Sequence, residues 1–90
     1  MGNPWYRYYL AREAFGREDY RSAIDHLRFA ARRTPGEERF AALLGLSYLQ
    51  RGDVAAAERW LSRAAELSGD DSPRSRYSGK LDRLRSAGSG

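Results

Sequence analysis

Side chains that could bind a metal or act as a nucleophile are scarce in this sequence. His26 is the only histidine, Asp25 stands beside it, and there is no cysteine. A metal site needs several ligands, and the lack of cysteine also removes disulfides, thiolate sites and thiol nucleophiles. The sequence therefore predicts no metal site, and we interpret His26 as a surface residue.

The remaining polar motifs have structural explanations. Asp70 and Asp71 are not followed by acidic residues at calcium-loop spacing, so we interpret them as a loop and helix-cap pair. No motif places a serine beside a base, and no glycine pattern matches a phosphate-binding loop. We therefore predict no catalytic activity and no cofactor.

A basic cluster near the carboxyl terminus is the charged feature that could bind an anion. It consists of Arg74, Arg76, Lys80, Arg83 and Arg85, and Asp82 is the single acidic residue in the same stretch. Together with Tyr77, the four arginines could contact the phosphates of a nucleic acid or an anionic membrane surface. A charged helix in solvent explains them equally well, because they are spread over several helix faces.

The overall composition predicts one small folded domain. The chain has 90 residues, a net charge of +4 and an ordinary apolar content of 41%. It has no apolar run close to the roughly 20 residues that span a bilayer, and its first residues lack an apolar signal core. We expect a cytoplasmic protein or a domain excised from a longer exported or membrane protein. The arginine-rich, lysine-poor usage is typical of high-GC bacterial genomes.

Apolar periodicity and capping signals predict five helices. The first begins at Pro4 behind an Asn3 cap and is broken at residues 16–18. The second follows an Asp19 cap and ends at 34–36, where a proline removes a backbone donor. The others are expected at about 37–50, 54–67 and 73–87.

Two stretches of the chain align with each other at an offset of 34 residues without a gap. The offset superposes residues that are small or apolar, or that cap a helix. These pairs are Leu10 with Leu44, Ala11 with Gly45, Asp19 with Asp53, Ala23 with Ala57, Leu27 with Leu61, and Ala30-Ala31 with Ala64-Ala65. A fixed period of this length indicates repeated helical hairpins.

The second stretch resembles the tetratricopeptide repeat, through Leu44-Gly45, Tyr48, Gly52-Asp53, Ala57, Leu61, Ala64 and Leu67. The first stretch matches the same pattern more loosely. Ala14 in the first stretch, and Ala41 and Gly69 in the second, depart from the pattern. The resemblance implies an all-α, right-handed α-solenoid of two antiparallel hairpins with a fifth, capping helix. The expected domain covers 1–87, with repeats at 4–37 and 38–71, a cap at 73–87, and a flexible tail or expression remnant at 88–90.

The resemblance also implies where a partner would bind, because the first helix of each hairpin lines a concave groove in this family. The corresponding positions here are Trp5, Tyr8, Arg12 and Phe15 in helix one and Arg39, Ala42, Leu46 and Leu49 in helix three. The positions that bind a peptide's terminal carboxylate in some family members carry other residue types here. The wall is apolar and aromatic with two guanidinium groups, which favours an apolar or amphipathic segment bearing acidic groups.

Helix three is apolar nearly all round, so something should cover each of its sides. A partner peptide, the fifth helix or a second copy of the chain could be the cover, and a plain central-helix role is an equal alternative. We predict a non-enzymatic protein-interaction module with a peptide in the groove. The alternatives are self-assembly through the same surface and, third, anion contact through Arg74, Arg76, Arg83 and Arg85.

Overall fold

Four α-helices form two consecutive hairpins in residues 2–68, the part of the chain that the computed structural model describes. They are α1 (Pro4–Gly16), α2 (Tyr20–Arg33), α3 (Glu38–Arg51) and α4 (Val54–Ser68). Each helix packs against the next, and α1 also contacts α3. The predicted all-α fold of paired helices is confirmed. The expected fifth helix at 73–87, the tail at 88–90 and Asp70-Asp71 lie outside the described residues, and the repeat and domain limits stay predictions.

Side-chain caps begin each of the first three helices. Asn3 Oδ1 accepts a hydrogen bond from the Trp5 N–H (2.9 Å), and Asp19 Oδ1 accepts one from the Ser22 N–H (3.3 Å). The hydrogen bonds from Ser22 also hold the pKa of the Asp19 carboxyl below its usual range. Glu37 is the cap of α3 and not its first residue, so the predicted start of this helix was one residue too early.

The two hairpin turns place a residue in the left-handed conformation at equivalent positions. Gly52 has φ 86° and ends α3, whereas Glu18, 34 residues earlier, has φ 64°. Glycine adopts this conformation without steric cost, but the Cβ of glutamate crowds the backbone there. The first turn is therefore strained at Glu18, a residue that the sequence did not single out.

Replacing Glu18 by glycine is expected to raise the free energy of unfolding by about 0.5–1 kcal/mol. The substitution removes a left-handed penalty of roughly 1–2 kcal/mol, part of which is offset by the greater freedom of glycine in the unfolded chain. Urea unfolding followed by circular dichroism measures the change. Glu18→Ala is the control, because alanine keeps the Cβ and should give no gain. Equal effects of the two substitutions would contradict the assignment of strain to this Cβ.

Small residues bring the helices together around two clusters of buried residues, and Tyr48 packs against both. The larger cluster consists of Ala11, Ala14, Ala23, Ile24, Leu27 and Leu44. Gly45 allows the closest approach of α3 to α4, since a Cβ built on it would lie 2.7 Å from Leu61 Cγ. Ala11, Ala23, Gly45 and Ala57, four of the small residues that the 34-residue offset pairs, are thus buried where neighbouring helices pack.

No helix between residues 2 and 68 is long and apolar enough to cross a membrane. The cytoplasmic location expected from the sequence stays a prediction.

Candidate functional site

Three aromatic rings from α1 and α3 form one cluster, which we call the aromatic cluster: Trp5, Tyr8 and Phe40. The ring centroids of Trp5 and Phe40 are 4.7 Å apart, those of Tyr8 and Phe40 5.4 Å, and those of Trp5 and Tyr8 5.6 Å. Phe40 is completely buried, Tyr8 is half-buried, and Trp5 keeps 39% of its surface exposed. A buried ring thus supports an exposed one, so that the indole is held in place while part of it faces solvent.

Two guanidinium groups border the aromatic cluster. The Arg39 guanidinium lies 4.5 Å from the Trp5 ring centroid, and that of Arg12 lies 6.0 Å from Tyr8. Glu37 Oε1 accepts hydrogen bonds from both the backbone N–H and the Nε–H of Arg39, each at 3.2 Å. The Arg39 side chain is nevertheless 65% exposed, so its guanidinium remains accessible to an anionic group.

The other predicted groove residues contact different parts of the molecule. The Phe15 ring is 5.3 Å from that of Tyr20 in α2, and it lies ten residues beyond Trp5, about 15 Å along the helix. Leu46 and Leu49 are half-buried against the cluster of Ala57 and Leu61 in α4. Ala42 is half-buried as well. The structure thus joins Trp5, Tyr8, Arg12 and Arg39 at one end, while Phe15, Leu46 and Leu49 do not belong to that cluster.

Phe40 is a member of the cluster that the sequence reasoning missed. In the sequence Phe40 belongs to the apolar stretch of helix three, and the groove positions that the family resemblance implies do not include it. The offset aligns it with Tyr6, which is 60% exposed because no helix packs over that side of α1 within the described residues. Its position in the sequence could have identified Phe40, because it is an aromatic residue directly after the predicted groove residue Arg39, at the start of an apolar helix.

His26 has a structural role on another face of the first hairpin. It is half-buried, and less exposed than predicted, because Arg7 Nη1 donates a hydrogen bond to its Nδ1 (3.1 Å). The Arg7 guanidinium also lies 4.2 Å from the Phe29 ring centroid, with that of Arg33 at 5.0 Å from the same ring. These contacts link α1 to α2 and leave the imidazole engaged in packing.

Tyr9 and Asp19, two exposed residues of the first hairpin, have displaced pKa values. The Tyr9 hydroxyl donates to Glu13 Oε2 (3.1 Å), and this bond raises the pKa of Tyr9, while the pKa of Asp19 is lowered by its capping bonds. Over the described range no group of three His, Cys, Asp or Glu side chains is placed to hold a metal ion. The aromatic cluster itself offers apolar contact through its rings and hydrogen bonding through the two guanidinium groups at its border.

Comparison with known proteins adds a family to this geometry. A family model for the tetratricopeptide repeat matches residues 8–72, more than half of the chain. The chain belongs to the tetratricopeptide repeat family. Among similar proteins, tetratricopeptide repeat protein 34 of Homo sapiens is 37% identical over 70 residues, which cover 78% of this chain and 12% of that protein. This tetratricopeptide repeat chain thus spans a small part of its curated relative.

Membership explains the burial pattern of the second hairpin. The positions of the repeat signature that must fill or narrow the space between helices are all inaccessible here: Leu44, Ala57, Leu61 and Ala64. Tetratricopeptide repeats generally act as non-enzymatic scaffolds that mediate protein–protein interaction. The partially exposed aromatic cluster lies where the two first helices of the tandem repeats meet.

Proposed function

We propose that this tetratricopeptide repeat domain is a non-enzymatic interaction module that holds a segment of another protein against α1 and α3. The observation that carries the proposal is the Trp5 ring, which is supported by Phe40 and flanked by the Arg39 guanidinium. The predicted ligand is an apolar or amphipathic segment in which a carboxylate lies close to an apolar side chain.

The aromatic cluster has the physical properties of a binding anchor. An aromatic ring that is already fixed in place offers a large contact area with little further loss of conformational entropy. Phe40 and Tyr8 restrict Trp5 before any partner arrives, and the exposed part of the indole remains free to be covered. A partner side chain that covers it would also shield the Arg39 guanidinium from water, which strengthens a bond to a neighbouring carboxylate.

The leucines further along α3 supply the apolar continuation of this surface. Leu46 and Leu49 are anchored on α4, but each keeps part of its surface accessible. A bound segment could therefore run from the aromatic cluster along α3 toward these side chains. Coverage of the same surface by the predicted fifth helix at 73–87 is the competing arrangement.

Trp5→Ala is expected to weaken the binding of peptides selected from a random phage-displayed library by at least about tenfold, because an anchoring ring is lost. Arg39→Gln should weaken binding several-fold for acidic peptides only. The measurement is fluorescence anisotropy of the labelled peptides. Tyr9→Ala is the matched control, since Tyr9 is a 56% exposed aromatic residue of the same helix and lies outside the aromatic cluster. Wild-type affinity in both Trp5→Ala and Arg39→Gln would refute the proposed groove.

Self-assembly is the second candidate, and a specific observation favours it. Tyr6 and Tyr9 are 60% and 56% exposed, whereas the residues 34 positions later, Phe40 and Leu43, are buried and half-buried between the hairpins. A further hairpin from another copy could stack on these tyrosines as the second hairpin stacks on the first. A molar mass that rises with concentration in sedimentation, and returns to monomer with Tyr6→Ser, would support assembly.

Anion contact through Arg74, Arg76, Arg83 and Arg85 stays the third prediction. These residues lie outside the described part of the chain, so the proposal for them depends on charge alone.

A further inference from the structure

A cleft between α2 and α4 is lined by basic side chains around an apolar floor, and we call it the basic cleft. Its volume is about 520 Å³, and its lining consists of Arg28, Ala31, Arg32, Pro35, Trp60 and Arg63. An adjoining hollow shares Arg28, Trp60 and Arg63 and adds Tyr48 and Arg59. We infer that the basic cleft is a second docking site, which binds an acidic amphipathic segment of a partner protein.

The basic cleft is built from different residues than the aromatic cluster. Both α2 and α4 pack against α3, and Trp60 and Tyr48 rest on the central core between them. The floor is therefore held by the hydrophobic core. At one end Arg63 Nη2 donates a hydrogen bond to the Pro35 carbonyl oxygen (3.1 Å), which links α4 to the turn after α2.

Two rows of arginine flank this floor. Arg28 and Arg32 are four residues apart on α2, and Arg59 and Arg63 are four residues apart on α4, so each row extends about 6 Å. All four side chains are exposed. Four like charges around the cleft and its adjoining hollow raise the local potential, and an anion bound between them would relieve their mutual repulsion.

The nearest acidic residues in sequence do not line the cleft or its adjoining hollow. Glu58 directly precedes Arg59, Asp25 precedes Arg28 by three residues, and Glu66 follows Arg63 by three. In the part of the chain between residues 2 and 68, the lining of the cleft and of its adjoining hollow contains no carboxylate. A complementary partner must therefore bring its own negative charges.

The arrangement of apolar and basic side chains selects the class of partner. An amphipathic helix with an apolar stripe and an acidic residue row on each side matches a floor of Trp60, Ala31 and Pro35 between two arginine rows. A single-stranded nucleic acid would also bring phosphates to the arginines, but the lining of the basic cleft offers its bases one aromatic ring, Trp60, to stack on. A second copy of the chain carries a net charge of +4 and so does not complement the positive charge of this cleft.

The test uses the complete chain with Trp5→Phe, so that tryptophan fluorescence reports Trp60 alone. The probe is a synthetic helical peptide with a leucine stripe flanked on both sides by glutamates. The control peptide has the same sequence with glutamine in place of every glutamate. The peptide affinity of the double variant Arg28→Glu/Arg59→Glu is compared with that of the control double variant Arg17→Glu/Arg51→Glu. The control pair makes the same change in net charge at two exposed helix ends that line neither the cleft nor its adjoining hollow. Circular dichroism checks that each variant is folded.

We expect the glutamate peptide to change the Trp60 emission, and the glutamine peptide to bind at least about tenfold more weakly. Arg28→Glu/Arg59→Glu should lower the affinity by a similar factor, and the control pair by much less. The two peptides are also compared on the Trp5→Phe chain that keeps all its arginines, so the inference can be tested even if a charge-reversal variant does not fold.

The inference fails if the glutamate peptide does not bind, if it binds no better than the glutamine peptide, or if both variant pairs behave alike. Tighter binding of a single-stranded oligothymidylate than of the glutamate peptide would also overturn it, in favour of a nucleic acid. The aromatic cluster is reported by Trp5 and the basic cleft by Trp60, so either proposal can fail without the other.

Discussion

Replacing Phe40 by alanine is expected to lower the free energy of unfolding by about 3–5 kcal/mol. Phe40 is completely buried, and it is the ring on which both Trp5 and Tyr8 rest. A domain of this size has a total stability of roughly 0.05–0.15 kcal/mol per residue, so the loss would consume a large part of it. Loss of this ring should also release Trp5 from its fixed position.

Urea unfolding monitored by circular dichroism measures this effect, and Tyr6→Ala provides the matched control. Tyr6 occupies the position 34 residues earlier and is 60% exposed, so its replacement should change the stability by no more than about 0.5 kcal/mol. If the two substitutions cost the same, Phe40 does not support the aromatic cluster as described.

Replacing Gly45 by alanine is the second large effect, an expected loss of about 1–3 kcal/mol. A Cβ at this position would lie 2.7 Å from Leu61 Cγ and 3.1 Å from the Leu61 backbone nitrogen. The side chain of Leu61 is fully buried and the backbone cannot move without shifting α4, so the two helices must separate. The usual gain of about 1 kcal/mol for alanine over glycine inside a helix is overridden here.

Gly16→Ala distinguishes close approach from helix propensity. Gly16 is the last residue of α1, and a Cβ built on it meets nothing within 4 Å. We expect this control to be neutral or slightly stabilising in the same thermal and urea unfolding measurements. A Gly45→Ala variant that gained stability as Gly16→Ala does would show that the contact between α3 and α4 is looser than described.

The elements governed by local chemistry were predictable from the sequence. The Asn3-Pro4 pair and Asp19 place the starts of α1 and α2 because a capping side chain acts within its own first turn. The small residues of the offset identified the helix contacts, since a repeated hairpin repeats its packing. The family then followed from the second hairpin, where Leu44, Ala57, Leu61 and Ala64 of the signature are buried.

The features that depend on contacts between distant residues were not predictable in the same way. Glu18 takes the left-handed position that Gly52 takes in the second turn, whereas the sequence predicted only a helix break somewhere in 16–18. The offset aligns Tyr6 with Phe40 as similar aromatic residues, and only the presence of a neighbouring hairpin makes one exposed and the other buried. The basic cleft combines side chains of α2 and α4, two helices separated in sequence by the whole of α3.

The most direct test of the proposed groove is a ¹⁵N–¹H correlation spectrum of the labelled protein, recorded while a library-selected peptide is added. The chain has two tryptophans, and their indole N–H signals report separate sites, Trp5 in the aromatic cluster and Trp60 in the basic cleft. The account predicts that the Trp5 signal shifts with peptide concentration, together with the backbone signals of the first turns of α1 and α3. Saturable binding that leaves the Trp5 indole and these turns unchanged would contradict it.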